Sequence, residues 1–430
     1  MKIKIFTLGC KVNQYESEAM QEILEKNGYT VANDNENADI TIINSCAVTS
    51  SGESKAVRLI HRVRRENHDT VIVLTGCMAQ TIADGEERLD EADIILGNKR
   101  RGDIVDVLKD YFENRRRITF IPPYEKQDEY ESLSVSSFSD RTRAFLKIED
   151  GCNRFCSYCI IPFARGRVRS ASIEEIKNGI HTFEQNGYKE VVVVGINLSC
   201  YGQDIGESFK KGIITACKSG NVRIRLGSLE PESMDLETLK AFAQYPNFCP
   251  QFHLSLQSGC DETLKRMNRH YTSAEYAEIV KNIRTVFENA SITTDVMVGF
   301  PGETEEEFVK SLEFVKSIGF AKVHVFPYSR RRGTVADKAE NQVGENVKKE
   351  RAKRMSEMAE GKRVEFLRTQ IGRIEPVLLE TRTHNGCLEG YTPNYTPVCV
   401  NASEELINTI VDVHIDSVSD DGTVFGTIIY

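Results

Sequence analysis

One short run carries the densest chemistry in this chain. "EDGCNRFCSYCIIPFARG", residues 149 to 166, sets Cys152, Cys156 and Cys159 in C-x3-C-x2-C spacing. Three thiolates this close can bind three corners of a cubane iron–sulfur cluster, leaving the fourth iron without a protein ligand. A structural zinc site wants a closed shell of four ligands, and no fourth cysteine or histidine stands nearby. An open iron can chelate a small molecule through amine and carboxylate groups, so that the cofactors carry the difficult chemistry.

The chain has 12 cysteines. Cys10, in "KIKIFTLGCKVNQYES", has no cysteine near it, and a lone cysteine at a strand end is ordinarily a small buried hydrophobe. Cys46 in "ADITIINSCAVT" and Cys77 in "TVIVLTGCMAQ" follow apolar runs in the same way. In a parallel sheet, the C-terminal ends of strands lie on one edge, where open α/β sheets place ligands. Three independent core cysteines would not repeat that position three times, so Cys10, Cys46 and Cys77 read as a shared metal site. Cys200, Cys217, Cys249, Cys260, Cys387 and Cys399 lack partner spacing and read as non-ligand cysteines.

The elements that must position these residues follow from periodicity. Over residues 1–112, the strands "KIKIFTL", "ADITIINS", "TVIVLTG" and "ADIILG" alternate with helical patterns, which implies an open, mostly parallel α/β sheet. Residues 113–140, with two prolines and a serine cluster, read as an irregular linker. From 141 to 368, six strands separated by helical patterns suit a partial barrel with its chemistry at the strands' C-terminal ends. They are "RAFLKIED", "EVVVVGIN", "RIRLGSL", "QFHLSLQ", "SITTDVMVGF" and "KVHVFPYS". Residues 369–430 read as a small all-β module of short strands and turns.

The 430 residues, 40% hydrophobic and 28% charged, suit an ordinary globular protein of two or three domains. No apolar run reaches membrane-spanning length, and the N-terminus reads as a strand rather than a signal peptide, so no membrane partner and a cytoplasmic location are expected. In that compartment, cysteines more often bind metal or catalyse than form disulfides. The net charge of −9 argues weakly against a nucleic-acid partner, but charge is segregated. Arg141, Arg143, Arg165, Arg167 and Arg169 surround the cysteine motif, and Arg330, Arg331 and Arg332 form a second run. Together they suggest a polyanion-binding surface. Gly195, Asn197 and Gln257 stand at expected strand ends and are candidates for a cofactor pocket, with turn or packing roles as the alternative.

The C-x3-C-x2-C run followed by six α/β strands resembles the radical SAM superfamily. In that superfamily the residue before the third cysteine lies near the cofactor's adenine, which points to Tyr158. "TLGCKVNQYESEAM", "INSCAVT", "LTGCMAQ", "HLSLQSGCDETLKRMNRHYT", "TDVMVGFPGETEEEF" and "FPYSRRRGT" resemble segments of the methylthiotransferase family, and the C-terminal module is similar to its RNA-associated TRAM domain. The resemblance covers nearly the whole chain. It implies two 4Fe–4S clusters, on Cys10/Cys46/Cys77 and on Cys152/Cys156/Cys159, with S-adenosylmethionine as methyl donor and radical source. It also implies a tRNA anticodon stem-loop as partner, an electron donor and a sulfur source. Of the family's branches, "GCKVNQYES" and "VVVVGINLSCYGQD" resemble the one acting on C-2 of N6-threonylcarbamoyladenosine at tRNA position 37. Isopentenyladenosine in tRNA, an aspartate of a ribosomal protein, and a non-catalytic iron–sulfur RNA scaffold stand as alternatives. One feature departs from the pattern: residues 374–430 hold nine acidic side chains and one arginine, Arg382. So acidic a module is a poor match for phosphates. It would touch RNA through "GYTPNYTP" or brace the barrel.

Overall fold

A computed structural model describes residues 1–33, 36–47, 50–82, 89–138 and 141–429. The first unit contains β1 (Lys2–Thr7), α1 (Lys11–Lys26), β2 (Thr30–Val31), β3 (Ile40–Ser45), α2 (Ser50–Glu66), β4 (Val71–Gly76), α3 (Cys77–Thr81), β5 (Ile94–Leu96), α4 (Ile104–Asn114) and β6 (Ile118–Phe120). Its six strands form one parallel sheet in the order β2-β1-β3-β4-β5-β6. Every residue of β3 and β4 is buried, as strands covered by helices on both faces require. The stretch expected to be irregular departs from that reading twice. Ile118–Phe120 pairs with β5 as the sheet's sixth strand, and Leu133, Val135 and Phe138 are buried in the core of the second unit. Ser139 and Asp140, at its end, lie outside the described residues.

The second unit runs through β7 (Arg143–Lys147), β8 (Glu149–Asp150), α5 (Ile161–Arg165), β9 (Arg169–Ser170), α6 (Ile173–Gln185), β10 (Glu190–Val194), α7 (Phe209–Lys218), β11 (Arg223–Leu226), β12 (Ser228–Leu229) and α8 (Leu236–Phe242). It continues with β13 (Gln251–Leu254), α9 (Asp261–Arg266), α10 (Ser273–Val286), β14 (Ser291–Val298), α11 (Glu305–Ile318), β15 (Lys322–Pro327) and α12 (Glu345–Arg368). The parallel strands follow chain order, β7-β10-β11 and then β12-β13-β14-β15. "RIRLGSL" divides at Gly227, whose N–H reaches Val193 O at 2.8 Å, so one run of sequence serves both sheets. The six runs of sequence thus make a partial barrel of seven strands, with β8 and β9 as a small antiparallel pair carrying the cysteine loop between them. Helices α6, α10 and α11 begin with capping boxes on Ser172, Thr272 and Thr304, which satisfy orphan N–H groups where each strand-to-helix loop ends.

The last unit is a closed barrel of β16 (Ile374–Arg382), β17 (Leu388–Tyr391), β18 (Pro397–Val400), β19 (Ile410–Val418) and β20 (Val424–Ile428). "CLEGYTPNYTPVCV" is a hairpin of two strands. Their pairing sets Cys387 beside Cys399, which are joined as a disulfide, an exception to the compartment's usual preference at two cysteines read as non-ligands. The hairpin turn seals the barrel end opposite the cysteine motif. Arg225 Nη1 donates to Pro393 O at 2.9 Å, Arg223 Nη2 to Pro376 O at 2.7 Å and Asn394 Nδ2 to Asn289 O at 3.0 Å. Tyr391 and Tyr395 stack with centroids 4.5 Å apart, and the Arg225 and Arg143 guanidinium groups lie 4.6 and 5.0 Å from the Tyr395 ring. "GYTPNYTP" therefore braces the barrel.

Candidate functional site

Cys10 is the N-cap of α1, Cys46 follows β3, and Cys77 begins α3 directly after β4. Strands β1, β3 and β4 are neighbours, so the three cysteines meet on one sheet edge. They line one cavity of about 430 Å3. Gly9 makes room for this: at φ 112°, a Cβ there would lie 2.9 Å from Cys46 Cβ and 3.3 Å from its sulfur. Asn13 ties the loops together, donating to Leu8 O at 2.9 Å and to Ser45 O at 3.0 Å. The far wall of the cavity comes from the barrel, through Val194 at the end of β10, Gly195 and Ile196 after it, and Gly227 and Ser228 at the β11–β12 break.

The second triad lies in the loop between β8 and β9. Cys152 N donates to Gly166 O at 3.1 Å, Ser157 N to Met267 O at 3.0 Å and Cys159 N to Cys156 O at 2.9 Å, which fixes the loop at three points. N–H donors also surround the sulfurs: Arg154 N and Asn197 Nδ2 each lie 3.4 Å from Cys152 Sγ, and Arg269 Nη1 lies 3.5 Å from Cys156 Sγ. Glu230 holds Arg269 in place. Burial raises the Cys152 thiol and pushes Cys159 up to about 12, so these sulfurs become thiolates at neutral pH when a metal takes them. Among the described residues no three His, Cys, Asp or Glu groups converge on a single metal ion. A cubane binds each cysteine at a different iron, and the donor set here of three free thiols ringed by N–H groups suits it.

Gly195 links the two triads. It lines the first cavity, and a Cβ there would lie 2.6 Å from Glu149 Oε2. That oxygen accepts from Asn197 N at 2.7 Å, and Asn197 in turn reaches Cys152. Glu149 Oε1 is buried without a hydrogen-bond partner, as is Gln257 Oε1. Gln257 bridges to Val296 with φ at 66°, in the left-handed region uncommon for a non-glycine residue. These buried, unpartnered polar atoms suit a polar ligand. Tyr158 packs edge-on to Phe300 at 6.3 Å.

Several arginines expected on an RNA surface are structural. Arg165 is fully buried: Nε lies 3.1 Å from Cys77 Sγ, Nη1 2.8 Å from Glu16 Oε1 and 3.1 Å from Asp150 Oδ1, and Nη2 2.8 Å from Asn13 Oδ1. Arg169 is buried on the carbonyls of Arg165 and Arg167, with Nη2 3.6 Å from Asp150 Oδ2. Arg143 pairs with Glu380 at 2.8 Å in the contact with the C-terminal barrel, and buried Arg331 pairs with Glu53 at 3.1 Å. Arg330 pairs with Asp337 at 3.0 Å. For Arg165, Arg143 and Arg331 the claiming carboxylate, Glu16, Glu380 or Glu53, is distant in sequence. Arg141, Arg167, Arg330 and Arg332 are exposed.

Sequence reasoning missed the centre of this network. Glu16, on the buried face of α1, meets Arg165, Lys147 (3.0 Å) and Arg101 (2.9 Å). Burial works against its carboxylate, yet these three cations hold it down at about 2. Its signal was its spacing with Val12, Asn13 and Ala19 on one helix face. Four buried cations, Arg101, Lys147, Arg165 and Arg169, face two carboxylates, Glu16 and Asp150, beside Cys77. That cationic excess fits a group of thiolates bringing negative charge.

Three family models match the chain: Uncharacterized protein family UPF0004 over residues 2–97, the Radical SAM superfamily over 146–315 and the TRAM domain over 368–429. The threonylcarbamoyladenosine tRNA methylthiotransferase MtaB of Thermotoga maritima is 40% identical, covering 98% of this chain and 96% of its own length. The protein of that name from Bacillus subtilis is 38% identical over 96% of this chain and 93% of its own. A tRNA-2-methylthio-N(6)-dimethylallyladenosine synthase of Pelotomaculum thermopropionicum is 33% identical over 96% of this chain and 94% of its own. Among solved structures, the radical S-adenosylmethionine methyltransferase TsrM from Kitasatospora setae shares the fold. It has a TM-score of 0.56 at 12% identity, over 78% of this chain and 76% of that one. The Radical SAM match brings S-adenosylmethionine and an iron–sulfur cluster as cofactors. The chain belongs to the radical SAM methylthiotransferase family, in its MtaB-type branch.

Proposed function

We propose that this protein attaches a methylthio group to C-2 of N6-threonylcarbamoyladenosine at position 37 of tRNA, using two 4Fe–4S clusters. Cys152, Cys156 and Cys159 would hold the cluster that binds S-adenosylmethionine, and Cys10, Cys46 and Cys77 the second. The observation that carries this reading is the shared wall: the cavity of the first triad is closed by Gly195, whose neighbour Glu149 connects through Asn197 to Cys152. The target carbon carries no leaving group, and reduced cluster with bound S-adenosylmethionine supplies the radical chemistry such a carbon needs.

The chain's own residues prepare that space. Arg165 donates to Cys77 sulfur while anchored by Glu16 and Asp150, which orients the first triad against the barrel. Arg269, Asn197 and the Arg154 N–H favour sulfur in its anionic form in the second triad. Exposed Arg167 and Arg332 would neutralise loop phosphates, while a base splayed from the anticodon loop enters the cavity. An electron donor and a sulfur source complete the reaction, in the cytoplasm. The acidic C-terminal barrel contributes bracing more than RNA affinity.

Mass spectrometry of nucleosides from a deletion strain tests the substrate. The methylthio form of threonylcarbamoyladenosine should vanish and return with a plasmid copy. A strain in which only a ribosomal protein or isopentenyladenosine loses its methylthio group would move the assignment to another branch.

A further inference from the structure

The rim of this site carries two phenylalanines that a globular fold has no reason to expose together. Phe163, on α5, is 59% exposed and Phe155 is 38% exposed. Their rings meet edge to face, centroids 6.2 Å apart, and the Arg167 guanidinium covers the Phe155 ring at 4.6 Å. Phe155 sits at φ 50°, costly for a bulky side chain. Asn268 Nδ2 holds that conformation, donating to Phe155 O at 3.1 Å and to Arg154 O at 3.4 Å. The backbone is thus strained and pinned in a way that presents an aromatic ring to solvent. On one side of α5 lies a cavity of about 450 Å3 lined by Phe163, Arg332, and Ala47 and Gln80 close to the first triad. On the other lies one of about 530 Å3 lined by Arg167, Lys126 and Pro162.

We infer that Phe163, backed by Phe155 and Arg167, is a stacking platform for the anticodon-loop base next to the target nucleotide. This rests on the RNA reading above and names the side chains that hold the loop open. Removing the target base from its stack leaves its neighbour with one bare face, and an aromatic ring can cover it whatever its identity. Cations on both flanks suit a strand whose phosphates pass over the ridge, whereas a membrane or an apolar protein partner would want a continuous apolar face.

The test uses full-length protein and a synthetic anticodon stem-loop carrying threonylcarbamoyladenosine. Phe163→Ala should weaken binding about 10-fold with no change in salt dependence, because stacking releases no counterions. Phe163→Trp should bind as tightly as the parent. Arg167→Gln should weaken binding and lower the slope of log affinity against log salt by about one. An abasic nucleotide beside the target should weaken the parent but cost Phe163→Ala nothing further. Wild-type affinity in Phe163→Ala, or an abasic penalty that persists in it, overturns the platform. A parent protein that binds this stem-loop no better than an unrelated hairpin overturns the RNA reading itself.

Discussion

Glu16→Gln removes one negative charge from the most buried electrostatic contact between the first unit and the barrel. Glu16 is 0% exposed and takes a bidentate pair from Arg165, at 2.8 and 2.9 Å, plus Lys147 and Arg101. A carboxyl held at about 2 rather than its ordinary 4.5 contributes about 3 kcal/mol at neutral pH. Breaking a buried pair by mutation costs a similar ~3–5 kcal/mol, because the cations left behind lose their counter-charge. The sign follows from the lowered value. The contribution is complete above about pH 4.5 and is lost as pH falls towards 2. Anaerobic urea unfolding at pH 7 and at pH 3.5 should show a loss of about 3 kcal/mol in the variant at pH 7 and a smaller loss in acid. Glu36→Gln, which cuts a surface pair with Lys2, should change nothing measurable. A loss below about 1 kcal/mol for Glu16→Gln at pH 7 would refute the view that this network docks the two units. So would an equal loss at both pH values.

Two other substitutions probe the site and its support. Gly195→Ala should slow deoxyadenosine formation while leaving iron content intact, since the added Cβ would press on the Glu149 oxygen that positions Asn197. Chromatographic quantitation of deoxyadenosine beside an iron assay checks this. Tyr395→Ala removes a ring stacked on Tyr391 and faced by two guanidinium groups, worth roughly 1–2 kcal/mol per contact. It should speed limited proteolysis between α12 and β16 while tRNA affinity stays near the parent value.

Both cysteine triads were legible for different reasons. The second announces itself by local spacing. The first is recoverable only because β1, β3 and β4 end alike, so that residues far apart in sequence share an edge. The strands β3 and β4 read easily as uniformly apolar runs. β6 escaped notice because it is three residues long and follows "NRRR", a run that looks solvated. The arginines were the harder case. A cation's fate depends on which carboxylate the fold brings to it, and Glu16 stands 149 positions before Arg165. Motif reading identifies "PFARG" but is blind to that partner. Likewise the two halves of "RIRLGSL" share one pattern and part only because Gly227 turns the chain between sheets.

Anaerobically reconstituted Cys10→Ala, given S-adenosylmethionine, a reductant and threonylcarbamoyladenosine-bearing tRNA, separates the two cysteine triads. Iron content should fall by half, deoxyadenosine should still form on Cys152, Cys156 and Cys159, and no methylthio nucleoside should appear. Methylthio product from Cys10→Ala at the parent rate would contradict the assignment of Cys10, Cys46 and Cys77 to a second cluster and return Cys10 to an ordinary cysteine at the end of a strand.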